Sequence, residues 1–518
     1  MKCFYNGIFI NTSNFNENIE MLIVENGLIQ YKGDYNINLL NKCEEKINLK
    51  GNTLIPGFND SHMHLLGLGL SLNQIDLSKM KSIDELILKS KEFIKENKHT
   101  QILYGKGWSQ ENFIEKRMLT KNDLDKISKE IPIVFTRACY HILTGNSKAL
   151  DLIDKSNLNI DGGEINLETG ILKENGKSVL LNKLPVPSKN EIKKHLIEAA
   201  KYVRKKGITS VQSDDLCMFP QKYNDRIFDA LNEIKNDFPI KIYEQSMFGD
   251  IKNFKNHFKK GYQMTNDNSH LNMGPLKILL DGSLGSKTAY LSENYLNENH
   301  NGILMYKKKE LFELVEFADE NNIDVAIHAI GDGAINLAID AIKNTRNQNM
   351  RHSIIHCQIT TNKLMKEIKK SNILVHIQPI FLDYDIHIVE NRIGIERTKE
   401  TYNYKTMDEL GINIAFGSDA PVDKVSPILG IHLAVNRTDL NGYPLNGFLP
   451  EQKIDVKKAL KFYTIGSAYA ERMENKKGSL DIGMQADFTI IDKNILEINE
   501  KKIKTINIVD TYVNGINI

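Results

Sequence analysis

Short apolar runs alternate with longer amphipathic stretches through the middle of the chain. Helical periodicity separates most of these runs, as in residues 189–207 and 308–322. Eight buried strands with crossover helices predict an α/β fold, a (β/α)₈ TIM barrel whose active site lies at the carboxyl ends of the strands. The eight predicted strands cover residues 58–64, 207–214, 239–247, 274–282, 323–331, 353–358, 373–379 and 412–420.

The two ends of the chain show a different pattern, in which short strands are joined by glycine-containing turns. Residues 19–33 contain two apolar runs around Asn26-Gly27, which predicts a β-hairpin. Residues 46–58 predict a second strand pair around Lys50-Gly51-Asn52. Near the carboxyl end, residues 478–492 and 505–518 are also strand-like. Because chain termini often lie close together, we predict one small β-sandwich built from both ends.

The predicted domain boundaries follow from these patterns. With 518 residues the chain is too long for one simple core. We assign residues 1–56 and 477–518 to the β-sandwich and residues 57–476 to the barrel. Residues from about 70 to 190 are too many for one crossover and contain strands of their own, so we expect an insertion over the mouth of the barrel.

Composition and charge exclude several classes of protein. The 67 basic and 66 acidic residues nearly cancel, so no basic field favours nucleic acid or an anionic membrane as a partner. The chain has no signal-peptide core and no apolar stretch of about 18 residues or more. Its five scattered cysteines favour a reducing compartment. We expect a cytoplasmic protein with a small-molecule partner, and a homodimer stays open.

Candidate metal ligands stand at the ends of the predicted strands. His62 and His64 alternate on the first strand, so they face the same side, and Asp60 precedes them. One such pair among 14 histidines can arise by chance, but other strand ends supply matching side chains, and all of these ends meet at one rim of a barrel. Imidazoles and carboxylates suit zinc or a similar divalent ion. The further strand-end candidates are Lys277, His328, His356 and Asp419.

Lys277 allows two interpretations. In the first, the side chain extends from the strand end to solvent or pairs with Asp281. In the second, carbon dioxide converts the amine to a carbamate that bridges two metal ions, because a buried ammonium group beside two dications is strongly disfavoured.

A set of motifs spans nearly the whole chain: LIPGFNDSHMHL, GWSQENF, YHILTGNSKAL, KILLDGSLGSKTA, IHAIGDGAI, RHSIIHCQ, FGSDAPV, AVNR and KKGSLDIGMQADFTIID. In order and content these motifs resemble the amidohydrolase superfamily, and most closely its amidohydrolase-3 branch of YtcJ-like and N-substituted formamide deformylase-like enzymes. The resemblance implies a metal-dependent hydrolase barrel with a β-sandwich made from both termini.

The resemblance also implies a ligand set for one or two divalent ions, zinc first, with manganese or iron as alternatives. His62 and His64 would bind the first ion, and His328 and His356 the second. Lys277 would bridge the two as a carbamate. Asp419 would be both a ligand and the proton shuttle.

The implied activity is hydrolysis of a non-peptide carbon–nitrogen bond in an amide, formamide or cyclic amide. A metal ion makes water a nucleophile near neutral pH, and Asp419 would move its proton to the leaving nitrogen. A mononuclear deaminase of the same superfamily is the second hypothesis, although Asp332 rather than a glutamate follows His328. A non-catalytic scaffold is the third, but no candidate ligand is missing from the sequence.

Three further residues are candidates for substrate binding. His141 lies in the insertion, and Asp281 and Gln378 lie at or just after predicted strand ends. Trp108, the only tryptophan, is expected to pack inside the insertion.

Overall fold

The computed structural model describes residues 1–97, 101–137, 142–156, 158, 163–174, 176–236, 238–267, 269–347 and 349–517. These residues form two compact units. One unit joins Met1–Leu68 to Ile192–Ile518, and the other is Gly69–Glu191. The second unit corresponds to the predicted insertion, and its location over the mouth of the barrel stays a prediction.

Eight parallel strands in sequential order form the barrel, so the predicted fold class is confirmed. Every predicted strand is present. Most contain buried Ile, Val or Leu, whereas the first, Phe58–Met63, is buried along its length although four of its six residues are polar. The strands β1 to β8 are Phe58–Met63, Ile208–Ser213, Lys241–Met247, Leu271–Leu279, Val325–Ala329, Ser353–His356, Leu374–Ile377 and Ile414–Phe416.

The barrel closes between the loop after β8 and the end of β1. Asp419 N donates a hydrogen bond to His62 O at 2.8 Å, and Ser418 N donates one to Asp60 Oδ1 at 2.9 Å. Gly417 is tightly packed, because a Cβ atom there would lie 2.6 Å from His62 N and 2.9 Å from Asp60 Oδ1. Burial raises the pKa of Asp60 to about 7. The closure therefore depends on a glycine and a buried carboxyl group.

Helices follow most of the barrel strands, and the two helices predicted above appear as Lys189–Arg204 and Lys308–Glu320. None of the helices in the described ranges is both long and apolar enough to cross a membrane. The other α-helices of this unit are Ile37–Lys42, Leu65–Leu72, Asn224–Ile234, Ile251–Lys259, Asp332–Lys343, Asn362–Lys370, Leu382–Asp385, Val389–Ile393, Ile395–Thr398, Tyr404–Glu409, Pro427–Asn436, Val456–Lys461 and Ser467–Ala470. Single 3₁₀ turns lie at Leu216–Met218, Gln221–Tyr223, Pro379–Phe381 and Pro450–Gln452, and a longer 3₁₀ helix lies at Glu500–Thr505. A π-helical turn lies at Phe462–Gly466.

Two four-stranded sheets use the ends of the chain. The first contains, in spatial order, Leu28–Gly33, Met21–Glu25, Lys2–Tyr5 and Glu45–Asn48. The second contains Ile8–Phe9, Thr53–Pro56, Phe488–Ile491 and Ile508–Tyr512, so both termini contribute to it.

Two turns in this region connect the predicted strand pairs, of which one is confirmed and the other is wrong. The hairpin at Asn26-Gly27 is confirmed, and both residues have the positive φ that its tight turn requires. The second predicted strand pair is wrong. Its two strands, Glu45–Asn48 and Thr53–Pro56, enter different sheets although Lys50 and Gly51 have the positive φ of a tight turn. The first strand pairs with Lys2–Tyr5, and the second pairs with Ile8–Phe9 and Phe488–Ile491.

The insertion unit has its own six-stranded sheet and core. Trp108 is fully buried there and stacks on Phe113, which confirms the expected packing role. The strands are Ile75–Asp76, Leu103–Trp108, Ile133–Arg137, Ile142–Gly145, Gly163–Asn166 and Ile171–Glu174, and the helices are Ile83–Glu96, Lys121–Asp125, Ser147–Leu150 and Lys177–Leu181.

Gly417→Ala should weaken barrel closure, because the added Cβ overlaps the backbone of β1. We expect the free energy of unfolding to fall by about 1–3 kcal/mol, measured by urea denaturation. Gly285→Ala is the matched control, since the nearest atom to its Cβ would be Ile388 Cδ1 at 3.8 Å. Equal stability of the two variants would contradict the closure argument.

Candidate metal centre

Barrel closure brings Asp419 to the two histidines at the end of β1. Besides the bond from Asp419 N to His62 O, His64 N donates to Ala420 O at 2.8 Å. These backbone contacts place Asp419 Oδ1 3.3 Å from His62 Nε2 and 3.1 Å from His64 Nε2. Two atoms that each lie about 2.1 Å from one tetrahedral ion are about 3.4 Å apart, so this spacing fits three ligands of a single ion.

The outer ring nitrogens of both histidines face oxygen acceptors. His62 Nδ1 lies 2.6 Å from Gln245 Oε1, and His64 Nδ1 lies 2.8 Å from the backbone oxygen of Asp214. An amide oxygen only accepts hydrogen bonds, so each Nδ1 carries a proton and, in the neutral ring, each Nε2 has its lone pair toward Asp419. This is the state that a metal ligand requires.

The strand-end histidines of β5 and β6 are oriented in the same way. His356 Nδ1 lies 2.8 Å from Gln378 Oε1, which leaves Nε2 as the lone-pair nitrogen. His328 is reversed, because its Nε2 faces Gly282 O at 3.1 Å and Nδ1 is left free to bind. The rings of His328 and His356 lie 4.4 Å apart, and the His356 ring lies 5.7 Å from that of His62. Four oriented imidazoles therefore converge at one end of the barrel.

Burial favours the neutral form of His62 and His356, whereas at His64 the charges of Cys217 and Asp419 outweigh burial and raise the pKa well above its usual range. Burial, followed by the positive charge of Lys277, lowers the pKa of His62 to about 3. Burial and then His328 lower the pKa of His356 well below its usual range. Neutral imidazoles hold a metal ion, whereas protonated ones would repel it.

Lys277 lies within this cluster and is 3% exposed. Its Nζ is 3.1 Å from His62 Nε2 and 3.7 Å from Asp214 Oδ2. The carboxylate that pairs with Lys277 is therefore Asp214, and not Asp281 as the first interpretation suggested. The Asp281 carboxylate instead accepts backbone hydrogen bonds from Tyr290, Ile330 and Gly331.

The three candidates for substrate binding have different outcomes. Asp281 is fully buried and also lies 3.3 Å from His328 Nε2, while Gln378 orients His356. These contacts give both side chains a positioning role, and their contact with substrate stays a prediction. His141 lies outside the described residues.

The sequence analysis did not select the residues that orient the ligands from behind. Gln245 lies on β3, and Asp214 follows β2 directly. Gln245 lies in the predicted strand 239–247 and Asp214 in the predicted strand 207–214. Their position near the ends of these strands was the one feature of the sequence that could have identified them. A glutamine or aspartate at a strand end is too common to be selected without knowing which histidine it faces.

Gln245→Leu should lower the affinity for a divalent ion by about 10–100-fold, because His62 loses the acceptor that fixes its tautomer. Competition with a chromogenic chelator measures this affinity. Gln212→Leu is the control, since Gln212 is equally buried on β2 but donates to Ser467 O. A similar loss of affinity in both variants would show that the effect is general destabilisation.

Comparison with known proteins is consistent with this centre. The model of the amidohydrolase family matches residues 45–516. YtcJ of Bacillus subtilis (strain 168), provisionally named an amidohydrolase, is 32% identical over 99% of both chains. The N-substituted formamide deformylase of Arthrobacter pascens is 24% identical over 91% of this chain and 89% of its own.

A solved structure gives the same result for the fold. The crystal structure of an uncharacterized metal-dependent hydrolase from Pyrococcus furiosus superposes with a TM-score of 0.82 at 28% identity. The match covers 96% of this chain and 100% of that one. The extent of the family match and the full-length similarity to YtcJ show that this chain belongs to the amidohydrolase family.

Proposed function

We propose that this protein hydrolyses a non-peptide carbon–nitrogen bond of a small amide, formamide or cyclic amide, with one or two zinc ions as cofactor. The observation that carries the proposal is the orientation of His62, His64, His328 and His356, each with one ring nitrogen facing an oxygen acceptor and the other available to a metal ion. Imidazole and carboxylate donors in this number suit zinc.

The bound ion would supply an activated water and polarise the substrate carbonyl group. The chain would supply the proton transfer. Asp419 lies against both histidines of β1, and its Oδ1 has no hydrogen-bond donor in the described structure. We propose that Asp419 accepts the proton of the attacking water and passes it to the leaving nitrogen, first as general base and then as general acid.

We further propose that Lys277 is carbamylated in the active enzyme. The amine nitrogen bonds to the carbon of carbon dioxide, its released proton goes to solvent, and the new carboxylate can bridge two ions. The position of Lys277 Nζ 3.1 Å from His62 Nε2 supports this role. Asp214 Oδ2 at 3.7 Å favours the unmodified ammonium group instead, so a one-ion centre is the alternative that the same residues allow.

Similarity to the formamide deformylase supports N-substituted formamides as the first substrates to test. His141 of the insertion remains a candidate for substrate binding. The four cysteines in the described residues are free, which suits a reducing compartment, and we propose a cytoplasmic enzyme.

Removal of the metal should abolish hydrolysis. Protein treated with a chelator and then reloaded with zinc is screened against formamides, acylamino compounds and cyclic imides, and product amine is measured. We expect activity only after reloading, with one to two equivalents of zinc by elemental analysis. The double variant His62→Ala, His64→Ala should hold at least one equivalent less. Wild-type protein that holds no divalent ion after reloading would refute the hydrolase and favour the scaffold.

Lys277→Ala should lose the second ion and most of the activity if the carbamate bridges two ions. A short carboxylic acid added with bicarbonate should partly restore both, because it supplies a bridging carboxylate. Lys277→Arg should not be rescued, since arginine fills the space and stays charged. Intact mass and elemental analysis of the wild type showing one ion and an unmodified lysine would decide for the one-ion centre.

A further inference from the structure

A cysteine lies on the outer side of His64, away from Asp419. Cys217 belongs to the single turn Leu216–Met218 that follows β2. Its Sγ is 3.3 Å from His64 Nδ1 and 3.2 Å from the backbone oxygen of Asp214. A ring nitrogen of His64, a carboxylate oxygen of Asp214 and Cys217 Sγ all lie within 4.8 Å of one another. Nitrogen, oxygen and sulfur donors are thus gathered around one point.

The Asp214 carboxylate has an oxygen that the described structure leaves without a hydrogen-bond partner. Asp214 is 2% exposed, and its Oδ1 is the atom without a partner, whereas Oδ2 faces Lys277 at 3.7 Å. A buried carboxylate oxygen without a donor or a cation is costly. A bound cation would satisfy it.

We propose that His64, Asp214 and Cys217 form a second metal site, selective for thiophilic ions such as cadmium or mercury. Binding forms a metal–sulfur bond and a metal–nitrogen bond at Nδ1, and the protons of the thiol and of Nδ1 go to solvent. No electron transfer is involved. The thiolate gives the preference for soft ions, in contrast to the imidazole-rich centre on the other side of His64.

The site is linked to the candidate metal centre through the shared imidazole. An ion at Nδ1 replaces the hydrogen bond from His64 Nδ1 to Asp214 O, which fixes the tautomer of His64. Thiophilic ions would therefore alter a ligand of the centre without competing for its inner face. The proton of the Cys217 thiol is displaced when the ion binds.

The test uses the full-length protein loaded with zinc and titrated with cadmium, without any substrate. Thiolate-to-cadmium charge transfer is followed by ultraviolet difference absorption, and bound cadmium is counted by elemental analysis. We expect Cys217→Ser to lose one equivalent of cadmium and the corresponding band. Cys43→Ser is the control, because Cys43 is a thiol of the terminal region, where its Sγ donates to Leu39 O.

A second variant keeps the thiol and tests the carboxylate. Asp214→Asn should weaken cadmium binding by about tenfold while leaving the charge-transfer band at saturation. Thermal unfolding confirms that each variant is folded. The proposal is overturned if Cys217→Ser binds as much cadmium as the wild type, or if Cys43→Ser loses the band instead. If Cys217→Ser retains zinc at the wild-type level, its cadmium binding tests the second site alone and does not bear on the main centre or on the proposed hydrolase.

Discussion

The closing contact of the barrel is the constraint on which the centre depends. Strands β1 and β8 are far apart in sequence, and the backbone bond from Asp419 N to His62 O joins them at the point where the ligands project. Asp419 adopts a left-handed conformation, with φ 58°, which an aspartate tolerates better than most residues but still at some cost. The fold therefore accepts local strain so that a carboxylate can face two imidazoles.

The second requirement is chemical, because an imidazole binds a metal ion only through a nitrogen that has no proton. Each histidine of the centre is held in the correct tautomer by an oxygen behind it, twice by a glutamine side chain and twice by a backbone carbonyl. The backbone acceptors, Asp214 O and Gly282 O, cannot be removed by substitution. Much of the ligand orientation is thus a property of the main chain after β2 and β4.

The centre contains buried charged groups, among them Asp214, Lys277 and Asp419. Lys277 is the cation supplied by the chain itself, and it lies between His62 and Asp214. An isolated buried carboxylate is costly, and an ammonium group offsets that cost only in part. The carbamate that we propose at Lys277 and the ion that we propose on the far side of His64 would both lie beside the Asp214 carboxylate.

Much of this could be predicted from the sequence. Apolar runs indicated most of the eight strands, since a strand buried on both faces is usually apolar along its length. Alternation placed His62 and His64 on one side of β1, and the position of Lys277, His328, His356 and Asp419 at strand ends brought them to one rim. The helices after the strands followed from their periodicity.

Only the tertiary structure decided which atoms meet. Lys277 pairs with Asp214 rather than with Asp281, which is nearer in sequence, because the twist and register of neighbouring strands set side-chain proximity and sequence separation does not. The roles of Gln245, Gln378 and Cys217 also depend on contacts between different strands. The turn at Lys50-Gly51 could open into two sheets or close into a hairpin, and packing of the second strand against Phe488–Ile491 selected the former. The local pattern of residues thus determined the strands and helices, whereas long-range packing determined which strands pair. The reason is that the sequence of a strand does not specify which other strand will form hydrogen bonds with it.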